Sequence, residues 1–426
     1  MKIEKAGTQF KEVSFGARRL FKLRQALDLK MLSSVLVAYL VTRFIIFFLI
    51  FVSSVNIPMA QGEFLYAEPS NILFDGLIRF DSWWYHNITT QGYSLGNATT
   101  GVQGNVAFFP LYPLLIKLVV LFTGNIFIAG LLISNLAFLV GLFYLYALAR
   151  REFDEDTAGR AVFYLAAAPT SIFFAAMYTE SLFVALVAAT FYYAGEKKWV
   201  VAALTGALAA ATRNSGVLLA AVIALEGMYF AGLRLRPLSW KLKDLIGQYR
   251  LTFIAAFKSW SSLAAASFVP MGLIGFMAYL TNTFGDPLAF IHSEASFGRQ
   301  VSTEQASGLV DRTLRRLNFG TQFLAGQTNS RAIIDVLITL AFLSLFLVLI
   351  FKMRPAYPIF VGLSLALPLA SGTVSSMTRY VLPLIPCYLL LAHWGRNRLV
   401  DRVILAFSLP LMGYFTVLFS HWYFAG

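Results

Sequence analysis

One aspartate stands out among the residues that could carry chemistry. Asp81 lies between aromatic side chains in the stretch RFDSWWYHNITTQGY, residues 79–93, within a chain that is otherwise strongly apolar. A carboxylate in such a place can take a proton from an attacking hydroxyl group. Within this motif, only Arg79 offers it an obvious basic partner. We therefore interpret Asp81 as a candidate general base rather than as half of a structural ion pair.

Four further ionisable residues lie in or beside apolar stretches, namely Glu180, Arg213, Arg299 and Arg379. Ionisable groups at membrane depth are costly, and they usually pair with one another or line a substrate path. Arginines can hold a phosphate through two hydrogen bonds and stabilise the charge on a phosphate leaving group. Arg213 and Arg379 are the main candidates for that role, with Arg299 as a third. Glu180 and Arg213 could equally be an ion pair that holds two helical hairpins together, so both interpretations stay open.

The aromatic residues after Asp81 are candidates for substrate binding. Trp84 and Tyr85 could stack on sugar rings, although aromatic side chains near a membrane surface more often anchor the protein there. His86 fits an interfacial hydrogen-bonding group better than a catalyst. The sequence contains no nucleotide-binding loop, no HExxH, no GxSxG and no Cys/His cluster. These absences argue against the common hydrolase and metalloenzyme sites.

The composition determines what kind of fold must position these residues. Of 426 residues, 58% are hydrophobic and 13% are charged, with a mean hydropathy of +0.69. Soluble domains carry about 25% charged residues. Apolar stretches of nearly spanning length recur along the chain, whereas a membrane β-barrel would show short alternating segments. We predict an all-α polytopic membrane protein embedded in the lipid bilayer. The net charge of +13 is concentrated in short segments between apolar runs, which favours cytoplasmic loops over nucleic-acid binding.

The basic clusters also predict the orientation of the chain. Residues 1–32 form a basic cytoplasmic N-terminus. Residues 33–426 form one transmembrane domain, with the outer loops 56–124 and 284–330 packed on it. The first apolar stretch is too long for the core of a signal peptide, so we interpret it as a retained helix.

Two pairs of short apolar segments are interpreted as hairpins, the first with Glu180 at its outer tip and the second with Arg213. This scheme gives about eleven transmembrane helices and brings Asp81, Glu180, Arg213 and Arg379 to the outer face. The alternative is a single long span over 199–231, which would invert everything that follows it. We prefer the hairpins because every strong Lys/Arg cluster then lies inside.

Six motifs occur in an order that resembles a known family. They are RFDSWWYHNITTQGY, AFFPLYPLL, APTSIFFAAMYTESLF, ATRNSG, GDPLAF and SMTRYVLPLIP. Together they resemble the PIG-V-type mannosyltransferases, a family that includes the second mannosyltransferase of GPI-anchor synthesis and many prokaryotic members. The resemblance runs from about residue 79 to the last apolar stretch. The form WWY, with Trp84 where eukaryotic members tend to have histidine, is similar to prokaryotic relatives and favours a prokaryotic plasma membrane over the endoplasmic reticulum.

The resemblance implies a GT-C glycosyltransferase, a multi-span bundle with its active site on the outer or lumenal face. Such enzymes take sugar from a polyprenyl-phosphate carrier, and an acidic residue in the first outer loop is the usual base. That residue corresponds to Asp81, with Glu180 positioning the acceptor or an arginine. No cofactor and no metal site are predicted. Some GT-C enzymes do use a divalent metal, for which Glu63, Glu68 and Asp75 could supply ligands.

The predicted function is therefore transfer of a hexose, with mannose as the first candidate, from a polyprenyl-phosphate donor to a glycolipid or glycan acceptor with inversion. A lipid-phosphate-sugar carrier or flippase would use the same cations and carboxylates without chemistry. A structural subunit of a larger glycosylation complex is a third reading. The presence of Asp81 and both arginines, Arg213 and Arg379, counts against it.

Overall fold

The computed structural model describes residues 2–61, 66–68, 70–97, 102–233, 252, 254–294, 297, 308–309, 313 and 330–425, with backbone only for 2–28, 97 and 102. Most of these residues are helical. Two short strands, β1 (Gly96–Asn97) and β2 (Val102–Gln103), pair antiparallel. The fold is therefore a helical bundle with one small ladder after α3.

The α-helices follow one another along the whole described chain. In chain order they are α1 (Lys2–Asn56), α2 (Ile72–Asp75), α3 (Asp81–Gln91), α4 (Leu111–Thr123), α5 (Ile126–Glu152), α6 (Glu155–Ala166), α7 (Glu180–Gly195), α8 (Trp199–Ala210), α9 (Leu219–Phe230), α10 (Trp260–Phe268), α11 (Met271–Phe284), α12 (Ala289–Glu294), α13 (Ser330–Lys352), α14 (Ala356–Leu369), α15 (Met377–Tyr380), α16 (Ile385–Trp394) and α17 (Arg398–Ser420). Short 3₁₀ turns at Ser171–Phe174 and Asn214–Leu218 precede α7 and α9.

Five stretches within the described residues are long and apolar enough to cross a membrane. They are Leu29–Asn56, Ile126–Glu152, Trp260–Phe284, Ser330–Lys352 and Arg398–Ser420. Six shorter apolar helices accompany them: Leu111–Thr123, Glu180–Gly195, Trp199–Ala210, Asn214–Phe230, Ala356–Leu369 and Ile385–Trp394. The predicted helical membrane class is confirmed in this part of the chain. The total of about eleven spans, the division into 1–32 and 33–426, and the orientation stay predictions.

Several helices begin at side chains that the sequence marks as caps. Asn125 accepts hydrogen bonds from two backbone N–H groups in the first turn of α5, and Asp154 accepts one at the start of α6. Asn397 does the same for α17. Each of these oxygens satisfies a donor that the helix itself leaves without a partner.

Two interruptions of helical structure determine where the site residues Glu180 and Arg213 lie. The stretch 199–231 is not one helix, because the backbone is extended at Arg213, with φ −152° and ψ 146°. The apolar segment 161–177, which the hairpin scheme treats as the arm before Glu180, is not a single helix, since α6 ends at Ala166 and Pro169 follows three residues later. Proline lacks an N–H donor and disfavours helical geometry in the residue before it. The chain therefore turns before Glu180 and again at Arg213.

The core forms around α5 and α7. Gly141 of α5 lies so close to α7 that an added Cβ would stand 3.2 Å from the Cα of Ala185. Small residues at such a crossing allow two helix backbones to approach closely. Most of α7 is buried, so its first residue, Glu180, starts at a deeply packed position.

Candidate functional site

Asp81 is the first residue of α3, and its backbone is held from outside that helix. Phe80, just before it, has φ 47° and ψ −109°, which is a strained conformation for a residue with a side chain. The Asp81 N–H donates to the hydroxyl oxygen of Tyr178 at 3.1 Å, and that hydroxyl donates to the Arg79 carbonyl at 3.2 Å. Tyr178 therefore fixes the turn that presents Asp81.

The neighbouring Arg79 is not the partner of Asp81. It is 1% exposed and pairs with Asp75 at 2.7 Å. Its Nε donates to the Ser420 carbonyl at 3.0 Å, and its guanidinium lies over the ring of Trp422 at 5.0 Å. Arg79 and Asp75 thus tie the loop before Asp81 to the end of α17.

The basic partner of Asp81 is Arg379, from the other end of the chain. The Arg379 Nη1 atom lies 2.7 Å from Asp81 Oδ2, and its Nε donates to Glu180 Oε1. Its guanidinium carbon also lies over the rings of Phe173 at 5.0 Å and Tyr178 at 4.7 Å. Burial opposes the charge of Arg379, but Glu180 and Asp81 outweigh it and raise the pKa of Arg379. The guanidinium therefore stays protonated.

Glu180 connects the two arginines. The carboxylate is 2% exposed, and its Oε1 accepts from Arg379 and from Arg213 Nη1, the latter at 2.5 Å. Its second oxygen, Oε2, has no hydrogen-bond partner among the described residues. As the first residue of α7, the carboxylate also lies at the positive end of the helix dipole.

Arg213 reaches this cluster from the break between α8 and α9. Its guanidinium lies over the rings of Phe183 at 5.9 Å and Tyr380 at 5.8 Å. Its side chain is 20% exposed, compared with 24% for Asp81 and 13% for Arg379. The cluster of Asp81, Glu180, Arg213 and Arg379 thus balances two negative and two positive charges, and three of its members keep access to solvent.

Trp84 and Tyr85 pack mainly on other aromatic rings. Trp84 stacks on Phe108 with ring centroids 5.7 Å apart. Tyr85 is buried edge-on against Phe108 and Tyr112, and its hydroxyl lies 3.4 Å from Thr179 Oγ1. Burial, helped by the Asp81 charge, raises the pKa of Tyr85. Tyr85 therefore supports the wall behind Asp81, while the half-buried Trp84 lies nearer the surface.

His86 is packed and unlike a catalytic histidine. Its ring stacks on Phe127 at 5.0 Å with an interplanar angle of 11°, and it meets Trp83 edge-on at 5.5 Å. Burial lowers the pKa of His86. These contacts pack His86 between Trp83 of α3 and Phe127 of α5.

The structure brings together four of the predicted site residues, Asp81, Glu180, Arg213 and Arg379. Their roles in catalysis and binding stay predictions. Arg299 lies outside the described residues, as does most of the predicted outer loop 284–330.

The acidic residues considered for a metal do not form a cluster in the described part of the chain, where no group of three or more His, Cys, Asp or Glu side chains could hold an ion. Asp75 is engaged by Arg79 and by the backbone N–H of Ala67 at 2.8 Å. Glu63 lies outside the described residues.

Sequence reasoning missed two residues that shape this cluster. Tyr178 stands in the quoted motif APTSIFFAAMYTESLF, but no pattern distinguishes its hydroxyl from other aromatic side chains. Asp335 gave a clearer signal, because it is an acidic residue inside an otherwise apolar run. Such a residue predicts a functional or structural partner.

Comparison with known proteins gives one family match. Residues 107–260 match the family described as dolichyl-phosphate-mannose-protein mannosyltransferase. The matched range includes Glu180 and Arg213 but not Asp81 or Arg379, and it covers less than half of the chain. No curated protein matches this chain. The family match supports a glycosyltransferase of the GT-C type, and it specifies neither the PIG-V-type branch nor mannose.

Solved structures with a similar trace come from an archaeon. The oligosaccharyltransferase AglB from Archaeoglobus fulgidus, in complex with an inhibitory peptide and a dolichol-phosphate, is 16% identical with a TM-score of 0.44. That alignment covers 93% of this chain and 56% of AglB. The A. fulgidus oligosaccharyltransferase with zinc and sulfate is 14% identical with a TM-score of 0.40, and the alignment covers 91% and 53% of the two chains. This chain therefore spans about half the length of these structures.

Proposed function

We propose that this protein is a membrane glycosyltransferase that moves a hexose, with mannose as the first candidate, from a polyprenyl-phosphate donor to a glycolipid or glycan acceptor. The proposal places the reaction on the outer face of a prokaryotic plasma membrane and within the PIG-V-type branch. The observation that carries it is the contact between Asp81 and Arg379, in a cluster where Glu180 also holds Arg213. A carboxylate base and two phosphate-binding cations at one point are what such a transfer requires.

The donor phosphate is proposed to bind Arg379 and Arg213. Arg379 is shared between Asp81 and Glu180. An incoming phosphate is a bidentate acceptor for arginine and competes with the Asp81 carboxylate for Nη1. Glu180 is buried and keeps its own contact, so it holds Arg379 in place during this exchange. Donor binding thereby frees Asp81 beside the sugar.

The freed Asp81 then acts on the acceptor. Its carboxylate takes the proton of an acceptor hydroxyl as that oxygen attacks the anomeric carbon. The bond from the anomeric carbon to the phosphate oxygen breaks on the opposite side, and its electron pair leaves with the lipid phosphate. Arg379 and Arg213 stabilise the charge that this phosphate gains. A single in-line displacement inverts the anomeric configuration.

A carrier or flippase without transferase activity would use the same cluster to bind a lipid-phosphate head group. The two functions differ in what they require of Asp81. Transfer needs its basicity, whereas binding needs only the two arginines. Substitution by asparagine keeps the shape and removes the base, so it separates the two functions.

The test uses membranes that contain the wild type or Asp81→Asn, supplied with a panel of radiolabelled polyprenyl-phosphate sugars that begins with mannose. We expect label in a new product with the wild type and a loss of about 10²- to 10⁴-fold in Asp81→Asn, the usual contribution of a general base. Asp156→Asn is the matched control, since Asp156 is an ion-paired aspartate that contacts Lys30 at 2.9 Å instead of the cluster.

Equal transfer by the wild type and Asp81→Asn would refute Asp81 as the base. No transfer from any lipid-phosphate sugar, together with movement of labelled lipid across the bilayer in both proteins, would favour the carrier. Transfer by the wild type from a donor other than mannose would keep the mechanism and change the sugar.

A further inference from the structure

We infer that Asp335 is a positioning residue for Arg379. It stands on α13, outside every motif that points to the active site, and its carboxylate fixes the turn that carries Arg379. The inference rests on the proposed function for its catalytic consequence. Its structural part, the coupling of Asp335 to Arg379, can be tested without any substrate.

The Asp335 carboxylate accepts three hydrogen bonds from the segment just before Arg379. Its Oδ1 accepts from the Thr378 N–H at 3.0 Å and from the Thr378 hydroxyl at 2.9 Å. Its Oδ2 accepts from the Ser376 N–H at 3.1 Å. Asp335 is 8% exposed, so these bonds form in a largely dry environment, where they are strong.

The helix α15 needs such a partner. It has four residues, too few to be stable by themselves, and its first N–H groups have no partner inside the helix. Its N-cap, Ser376, has φ 68° and makes no capping bond with its own side chain. Asp335 supplies the cap from another helix, and its negative charge suits the N-terminal end of α15.

A further hydrogen bond holds Thr378 from the side opposite Asp335. The Thr170 hydroxyl donates to the Thr378 carbonyl at 2.7 Å. Thr378 is thus held at its N–H, its hydroxyl and its carbonyl, and Arg379 is the next residue. The position of the Arg379 backbone follows from these contacts, and the guanidinium then reaches Asp81 at 2.7 Å. Misplacing a reacting group by about 1 Å can cost about 10²-fold in rate.

The three hydrogen bonds to Asp335 explain how a carboxylate can lie in an apolar helix. A carboxylate inside an apolar span is costly unless hydrogen bonds compensate it. A purely structural role would make its loss damage the bundle in general. A positioning role predicts instead that its loss acts through Arg379, and a double-mutant cycle separates the two.

The test is a cycle of wild type, Asp335→Asn, Arg379→Lys and the double variant, measured by sugar transfer and by the Tm of the purified full chain. We expect Asp335→Asn to lower transfer between about 10-fold and 100-fold. The double variant should transfer sugar no more slowly than Arg379→Lys alone, and its loss of Tm should be smaller than the sum of the losses in the two single variants. Independent effects on both readouts would overturn the inference.

Thr339→Val is the matched control within α13. Thr339 is 4% exposed, and its hydroxyl bonds to the Asp335 carbonyl at 2.6 Å rather than to α15. We expect Thr339→Val to transfer sugar at the wild-type rate. A loss as large as that of Asp335→Asn would mean that any change to α13 disturbs the site, which would overturn the inference.

Two further measurements decide the outcome if Asp335→Asn does not fold or if the wild type transfers no sugar. Should Asp335→Asn fail to fold, Thr378→Val removes only one of the three hydrogen bonds, and we expect a smaller loss with the same coupling to Arg379→Lys. Should the wild type transfer no sugar, the proposed function fails, and the Tm cycle alone decides the coupling. A coupled Tm cycle supports the positioning role in either case, and an additive one refutes it.

Discussion

Replacing Glu180 by glutamine tests whether the site is built on charge balance. The substitution keeps the shape of the side chain and removes the single negative charge that both arginines share through Oε1. The cluster of Asp81, Glu180, Arg213 and Arg379 then changes from neutral to a net charge of +1. We expect a less stable protein whose stability responds more strongly to an added anion.

The size of the effect follows from burial. Removing one partner of a buried ion pair typically costs about 3–5 kcal/mol. Glu180 is 2% exposed, but Arg379 keeps its contact with Asp81 and Arg213 is 20% exposed. Both arginines therefore keep some compensation, which favours the lower end, about 3 kcal/mol. For a chain of this length that corresponds to a fall in Tm of about 3 °C.

The assay is thermal unfolding of the purified protein in detergent, with and without a short-chain polyprenyl phosphate. A ligand at a hundredfold excess over its Kd stabilises a protein by about 2.7 kcal/mol. The variant should gain more than the wild type, because the phosphate replaces the missing negative charge. Glu226→Gln is the matched control. Glu226 is 1% exposed and pairs with Arg354, with 3.1 Å between Glu226 Oε2 and Arg354 Nη1, and neither residue belongs to the cluster. Removing the Glu226 charge should therefore lower Tm without increasing the response to lipid phosphate.

An unchanged Tm in Glu180→Gln would refute the argument that Glu180 balances the two arginines. If Glu180→Gln lowers Tm as expected but gains no more Tm from lipid phosphate than the wild type does, the arginines do not bind that head group. An equal gain in Glu226→Gln would mean that the phosphate binds positive charge anywhere on the protein.

Three smaller changes test the surroundings of Asp81. Tyr178→Phe leaves the Asp81 N–H without its partner, so we expect a loss of about 1–3 kcal/mol in unfolding free energy and slower transfer. Arg213→Lys loses the planar fork that suits a phosphate, and a higher KM for the donor should follow in initial-rate measurements. Burial lowers the pKa of His86 below its ordinary value of 6.5. As the pH falls, the imidazole therefore binds a proton in the unfolded chain before it does so in the folded protein, and the wild type loses stability below pH 6.5. In Tm measurements from about pH 7 to pH 5, His86→Phe should lack this loss.

The sequence by itself determined the class of the protein. The lengths of its apolar runs predict membrane helices, since a span needs about 20 apolar residues. Short-range chemistry also sets the helix starts at Asn125 and Asp154, because a capping side chain acts within a few residues. The end of α6 before Pro169 was not predicted, although proline acts over an equally short range. Asp81, Glu180, Arg213 and Arg379 could be selected for the same reason, as charges next to apolar spans need an explanation.

Only the tertiary structure decided which charges meet. Arg79 is two residues from Asp81 but pairs with Asp75, while the partner of Asp81 is Arg379, which lies almost 300 residues away. The contact of Asp335 with the turn before Arg379 depends equally on how α13 packs against α15. Ion pairs and hydrogen bonds form within a few ångströms in space, and distance along the chain does not report that separation. The site therefore follows from how the helices pack.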